Sequence, residues 1–384
     1  MTENVFLDNA KTTRPDPEVQ EQMKDFAIDN YGLPGGEFGY TLEEDASEAL
    51  AESREIVADE IGAEPDEVIF TSGGTESNNL ALKGVAYSDR YDASKILTSE
   101  IEDRSVLDVV KRLDDGPIEG TFLEVDGDGF VDLERLKEEV KEARLVSIHH
   151  ANHEIGTIQD IEAIGEICDE EDVLLHVDAV QSFCREPIDV DEMGVDLLSM
   201  SSHVVHGPKG VGALYVRDGT DLEPLFHGGG QEFGLRPGGQ NLPGIVGFGS
   251  AVERFSDDDV EKMTKMRDEL MEGLLQIEDT QLNGPRDDRV CNNVNVSFDY
   301  VEGEAVLLHA DMRGLIVSTG SACYSKDLET SHVILAIGGT HERAHSSTRL
   351  TIGRFNETED VDFAVENLSE VVRRLRDISP LGKD

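Results

Sequence analysis

Residues Leu197–Arg217 read LLSMSSHVVHGPKGVGALYVR. Two apolar runs, Leu197–Met200 and Gly212–Val216, have the length of buried strands, and a polar Ser201-Ser202-His203 step and a Gly207-Pro208-Lys209-Gly210 turn separate them. Similar runs recur upstream near Val68–Ser72, Lys95–Thr98, Thr121–Val125, Leu145–His149 and Leu174–Asp178, with amphipathic helical patterns in most of the gaps. This alternation predicts an α/β domain with a mostly parallel sheet covered by helices. From Pro243 one long helical pattern is expected to about Ile277, and the shorter elements beyond it, among them NVNVSFD and TRLTIG, predict a small α+β C-terminal domain. The expected division is an N-terminal segment 1–15 packing against the small domain and the site, a large domain 16–255, and a small domain 256–384.

The chain has 384 residues, 38% of them hydrophobic, which suits a packed protein of about two domains. Its 82 Asp+Glu against 33 Lys+Arg give a net charge of −49, spread along the whole length. Acidic residues fall on polar helix faces, as in LEEDASEALAESREIVADE (Leu42–Glu60), so the charge reads as a solvated surface suited to a salt-rich cytoplasm. Phosphate backbones would be repelled, which excludes non-specific nucleic-acid binding. No apolar run reaches membrane-spanning length and MTENVFLDNAKTT lacks a signal-peptide pattern, so a cytoplasmic, non-membrane protein is expected. Cys168, Cys184, Cys291 and Cys323 are widely spaced and form neither a disulfide framework nor a C-x-x-C motif.

Several stretches carry chemistry. The strand VIFTS runs into Ser72-Gly73-Gly74-Thr75-Glu76-Ser77-Asn78-Asn79, with a helix expected from near Leu80. Glycines let backbone approach an anion closely, and a helix N-terminus supplies amide donors. Asp178 and Gln181 close the strand LLHVDAVQS at the carboxyl edge of the sheet, where open α/β folds bind ligands. Cys323 sits in STGSACYS, a run of small and polar residues that reads as a loop able to present a thiol. Arg349, in AHSSTR, offers the planar grip that carboxylates need.

Together these blocks resemble the cysteine desulfurases, class V members of the pyridoxal phosphate (PLP) aminotransferase superfamily. Leu197–Arg217 is similar to the family's S-x-S-x-H-K-x-x-G-P-K-G-x-G-A-L-Y-V-R. The resemblance implies the type I fold of PLP-dependent transferases and a homodimer. It implies that Gly74, Thr75, Ser201 and His203 hold the phosphate end, that Asp178 pairs with the pyridine nitrogen and that Gln181 meets the ring hydroxyl. It further implies that Arg349, Asn152 and the next position, here His153, bind substrate, and that Cys323, in a loop resembling S-T-G-S-A-C-S-S, takes the substrate sulfur as a persulfide.

The departures gather at the cofactor. Val204 stands where the family has the Schiff-base lysine, and a valine has neither nucleophile nor titratable group. Asp103 replaces the histidine that stacks on the pyridine ring, His153 the second asparagine of A-N-N-E-I-G-T, and Gly239 a threonine that reaches the neighbouring subunit's phosphate. Leu33, Gly35, Gly36 and Phe38 stand in the N-P-S-S-x-H pattern, and Lys11 is a new amine in the family's L-D-N-A-A-T-T motif. Lys209 belongs to the ordinary G-P-K-G turn. These changes predict PLP bound weakly, non-covalently or not at all.

Three functions stand open. The first is a desulfurase-like sulfur-transfer protein for iron–sulfur cluster or thio-cofactor assembly, with Cys323 as persulfide carrier or cluster ligand, sulfide or another donor as sulfur source, and a scaffold or acceptor protein as partner. The second is an active L-cysteine desulfurase using Lys11 or His153 as surrogate base, with His203 beside it. The third is a class V aminotransferase or lyase acting on another amino acid.

Overall fold

A computed structural model describes residues 4–35, 40–92, 94–320 and 330–379. Seven strands form the main sheet, in the order Val68–Thr71, Gly212–Val216, Leu197–Ser201, Leu174–Asp178, Ala143–His149, Lys95–Ser99 and Glu119–Leu123. Gly212–Val216 runs antiparallel to both neighbours, and the other pairs are parallel. The opening stretch therefore folds back on itself in register, Leu197 opposite Val216 and Ser201 opposite Gly212, with its polar turn between. The carboxyl ends of the parallel strands all reach one edge of the sheet. That edge carries Ser72–Gly74, Glu102–Asp103, His149–His153, Asp178–Gln181 and Ser201–His203.

Helices cover the sheet, and their caps are written locally. Asp103 caps the helix Arg104–Asp114 through Ser105 N, and Asp160 caps Ile161–Glu170 through Ala163 N. The pattern from Pro243 to Ile277 is not one helix. It divides into Leu242–Glu253 and Asp257–Leu275, because Ser256 and Asp259 form a reciprocal capping box that starts the second helix afresh. Two further bounds move: the strand expected at Thr121–Val125 spans Glu119–Leu123, and the helix expected from Leu80 begins at Gly74.

The largest apolar cluster lies between sheet and helices and includes Leu175, Val177, Phe183, Leu198, Met200, Val204 and Phe248. A second cluster joins Met263, Leu270 and Leu274 of one helix to Leu368 and Val372 of the closing helix Thr358–Ile378. It covers a three-stranded antiparallel sheet in which Asn293–Phe298 is central, flanked by Ser347–Thr351 and Thr280–Leu282. The chain start is tied here. Val5–Phe6 pairs with Leu315–Ile316, and Leu7 is fully buried in this second cluster. Among the described residues, no helix is long and apolar enough to cross a membrane.

Candidate functional site

One end of the site is built for an anion. Gly73 caps the helix Gly74–Tyr87 at φ 144°, a backbone conformation open to glycine. A Cβ on Gly74 would lie 2.5 Å from Val180 Cγ2 and 3.8 Å from Ser201 Cβ, so this glycine allows the turn to close over Ser201. Ser201 Oγ and His203 Nδ1 are buried and have no hydrogen-bond partner among the described residues. Unpartnered buried donors beside a helix N-terminus form a cradle that a phosphate would complete. Burial depresses His203, with Lys209 reinforcing the shift. Thr75 is exposed in the first helical turn, lining a cavity of about 1040 Å³ with Ser72, Glu76 and Phe226.

At the other end, Asp178 is 6% exposed and held at both oxygens. Val180 N donates to Oδ1 at 3.0 Å, and Asn78 Nδ2 donates to Oδ2 at 2.7 Å. Burial, with repulsion from Asp103 and Glu102, outweighs these bonds and pushes its carboxyl up to about 7. Gln181 donates to the Ala10 carbonyl at 3.0 Å, which brings the N-terminal segment to this edge.

Asp103 takes part in the same network. Its Oδ1 accepts from Ser105 N (2.8 Å) and Ser105 Oγ (2.6 Å), while Asn78 Nδ2 reaches Ser105 Oγ at 2.8 Å. Burial alone would raise the Asp103 carboxyl, but His153, the two Ser105 bonds and His332 hold it below its ordinary value. Burial pushes His153 down, with Asp103 opposing, and its ring stacks at 6.4 Å from that of His332. Asp103 is thus both helix cap and site carboxylate.

Val204 ends a short 3-10 turn, Ser202–Val204. Its side chain is 0% exposed and packed in the main apolar cluster, and its carbonyl accepts from Arg185 Nη2. Below the cradle there is apolar packing in place of an amine. Lys11 and Lys209 are both exposed.

Two substrate-binding expectations meet competing bonds. Arg349 donates to Asp8 Oδ1 at 2.8 Å and to the His153 carbonyl at 2.8 Å, and its Nε is buried without a partner among the described residues. Asn152 is 0% exposed, with Nδ2 on the Ile101 carbonyl and Oδ1 accepting from Glu154 N and Ile155 N. Its side chain holds the turn together. Gly239 is exposed, and a Cβ there would meet Leu33 Cδ2 at 3.8 Å. Cys323 lies outside the described residues, as do Gly36 and Phe38. Cys168, Cys184 and Cys291 are buried, and burial pushes the first and last thiols up to about 12. Among the described residues, no group of three or more His, Cys, Asp or Glu side chains could hold a metal ion.

The sequence pattern did not single out several residues that complete the edge. Glu102 Oε1 accepts from Ser99 Oγ at 2.5 Å and lies 2.8 Å from His149 Nδ1, all three being buried. Glu102 Oε2 and His149 Nε2 have no partner among the described residues. Glu154 Oε1 accepts from Ser331 Oγ at 2.6 Å, and a Cβ on Gly320 would lie 2.0 Å from the same oxygen. The buried Glu154 carboxylate is thus bonded by Ser331 and closely approached by the backbone of Gly320. The available signal was a glutamate or histidine at a strand end, which alone does not reveal its partner.

A sheet of this order, with a cradle and a buried aspartate on one edge, defines a class. The chain belongs to the class-V aminotransferase family, whose model matches residues 5–363. It is 46% identical to the cysteine desulfurase IscS of Dictyoglomus turgidum, over 100% of this chain and 98% of that protein. It is also 46% identical to IscS of Methanosarcina thermophila, over 99% and 95% respectively. Among solved structures, a NifS-like protein superimposes with a TM-score of 0.90 at 36% identity, covering 97% of this chain and 100% of that one. A structure described as SspA in complex with cysteine has a TM-score of 0.82 at 37% identity, covering 92% and 99%. The fold is the type I fold of PLP-dependent transferases.

PLP is the group this family implies, and the residues present fit part of it. The unpartnered Ser201 hydroxyl, the glycine turn and buried Asp178 match a phosphorylated pyridine. The buried Val204 supplies no covalent anchor.

Proposed function

We propose that this chain is a sulfur-transfer protein on a desulfurase frame, in which Cys323 carries sulfur while PLP-dependent turnover is lost. The observation that carries this reading is Val204, fully buried in apolar packing at the position where the resemblance places the Schiff-base lysine. When bound, PLP supplies an electron sink for bonds broken at a substrate carbon. Ser201 would hold its phosphate and Asp178 its ring nitrogen, but the side chain at 204, a valine, can carry no proton.

The sulfur step needs none of this. A Cys323 thiolate attacks the outer sulfur of a donor persulfide, the donor's thiolate leaves, and the new S–S bond rests on Cys323 with no net oxidation. The similarity to proteins named cysteine desulfurase IscS supports a role in iron–sulfur or thio-cofactor assembly, with a scaffold or acceptor protein as recipient. A homodimer, a cytoplasmic location and the division at residues 15 and 255 belong to the same reading.

An active desulfurase is the second reading. It is favoured by His153, a half-buried imidazole that burial pushes down beside Asp103, in the state a base requires. The two separate on one assay: protein with PLP and L-cysteine, read for sulfide and alanine. The first reading expects no product above a Cys323→Ala control; sulfide release that this substitution abolishes would establish the second.

A further inference from the structure

Three carboxylates gather at the ring end of the site: Asp103 and Glu102 both repel Asp178, while His153 and His332 are the imidazoles that act on Asp103. Asp103 and Asp178 are bridged by Ser105 and Asn78, each bond 2.6–2.8 Å long. Glu102 is 0% exposed with Oε2 unpartnered. Arg349, whose Nη1 donates to the His153 carbonyl, is already paired with Asp8 at 2.8 Å. At the far end, the helix N-terminus, Ser201 Oγ and His203 Nδ1 leave donors for an anion. The complementary ligand has a phosphate at one end and more than one positive charge at the other.

We propose that the pocket selects the amine form of the cofactor, pyridoxamine 5′-phosphate, over the aldehyde form, and holds it without a covalent bond. An aldehyde gains its affinity in such sites from a lysine, and here Val204 is buried while Lys11 and Lys209 are exposed. The aldehyde substituent is uncharged, whereas the aminomethyl group carries an ammonium that pairs with a desolvated carboxylate. The residue that creates the difference is Asp103, because it adds a carboxylate beside Asp178 without giving up its capping bond to Ser105 N at 2.8 Å.

This inference rests on the loss of the lysine anchor argued above. Calorimetric titration of the full chain at fixed salt, with pyridoxamine 5′-phosphate, pyridoxal 5′-phosphate and inorganic phosphate, tests it. The amine form is expected to bind at least about tenfold tighter than the aldehyde form, and both tighter than inorganic phosphate. In Asp103→Asn, which keeps a capping oxygen, the preference is expected to fall below about threefold with inorganic phosphate binding unchanged. Asp103→Ser, another good cap, serves if the asparagine variant does not fold. Equal or reversed affinities, or a preference that both variants retain, would overturn the selection alone. A pyridoxyl-lysine trapped by borohydride would overturn the lost anchor and the selection together.

Discussion

Asp103 and Asp178 are joined through two intervening side chains: Ser105 Oγ donates to Asp103 Oδ1, and Asn78 Nδ2 donates to both Ser105 Oγ and Asp178 Oδ2. A substitution at one position of the site is therefore felt at the residue expected to face the pyridine nitrogen. Because burial and Asp103 push Asp178 up to about 7, its ionisation opposes folding. The unfolded carboxyl titrates near 3.9, so the penalty is absent below that pH, grows as pH rises, and levels off above about 7. Asp178→Asn should thus gain on the parent protein by up to about 1.4 kcal/mol per pH unit between pH 4 and 7. Denaturant titrations at constant salt would show it; parallel pH profiles would contradict the assignment.

The same linkage predicts the effect of Asp103→Asn. Removing the neighbouring charge lowers the Asp178 carboxyl toward its ordinary range, so the downward stability slope levels off at a lower pH. An unshifted slope would mean that the two carboxylates do not interact.

Glu102 is a buried carboxylate whose Oε1 serves both Ser99 and His149. Glu102→Gln preserves that acceptor, whereas Glu102→Ala leaves the buried Ser99 hydroxyl and His149 Nδ1 unpaired. The alanine variant should lose about 1–3 kcal/mol more stability than the glutamine variant, measured by chemical unfolding. Equal losses would show that the acceptor is unimportant.

Restoring the family's lysine by Val204→Lys would place an amine where the parent side chain is 0% exposed among apolar neighbours. A loss of roughly 3 kcal/mol or more is expected, with no recovery of sulfide release from L-cysteine. Full turnover in this variant would show that Asp103, His153 and Gly239 are compatible with the ordinary reaction.

The net charge of −49 makes salt a stabiliser. Stability should rise between low and molar salt as the self-repulsion is screened, and a flat profile would contradict a surface adapted to salt.

The main-sheet strands were legible because short apolar runs bounded by Gly, Asp or Ser fix them locally, as in Val68–Thr71 and Leu174–Asp178. The break at Ser256 was written as a capping box, but the apolar residues Val252 and Phe255 carried the helical pattern across it. The start at Gly74 was obscured because paired glycines read as loop, although Gly73 is the cap. Pairing of Val5–Phe6 with Leu315–Ile316, and the bridge from Asp103 to Asp178, join residues far apart in the chain. No local pattern encodes such pairings. Asn152 shows the converse: its motif identifies a family position, while its three bonds show that the side chain holds a turn.

The central claim, that PLP-dependent turnover on this frame is lost while the sulfur-carrying half is kept, comes down to the state of Cys323. PLP-free protein is incubated with a sulfur-35-labelled persulfide donor, alkylated and mapped by peptide mass spectrometry. The account predicts label on Cys323, none on the buried Cys168, Cys184 and Cys291, and no sulfide from L-cysteine when PLP is added. An unlabelled Cys323, or sulfide release from L-cysteine that needs PLP and Cys323 together, would contradict it.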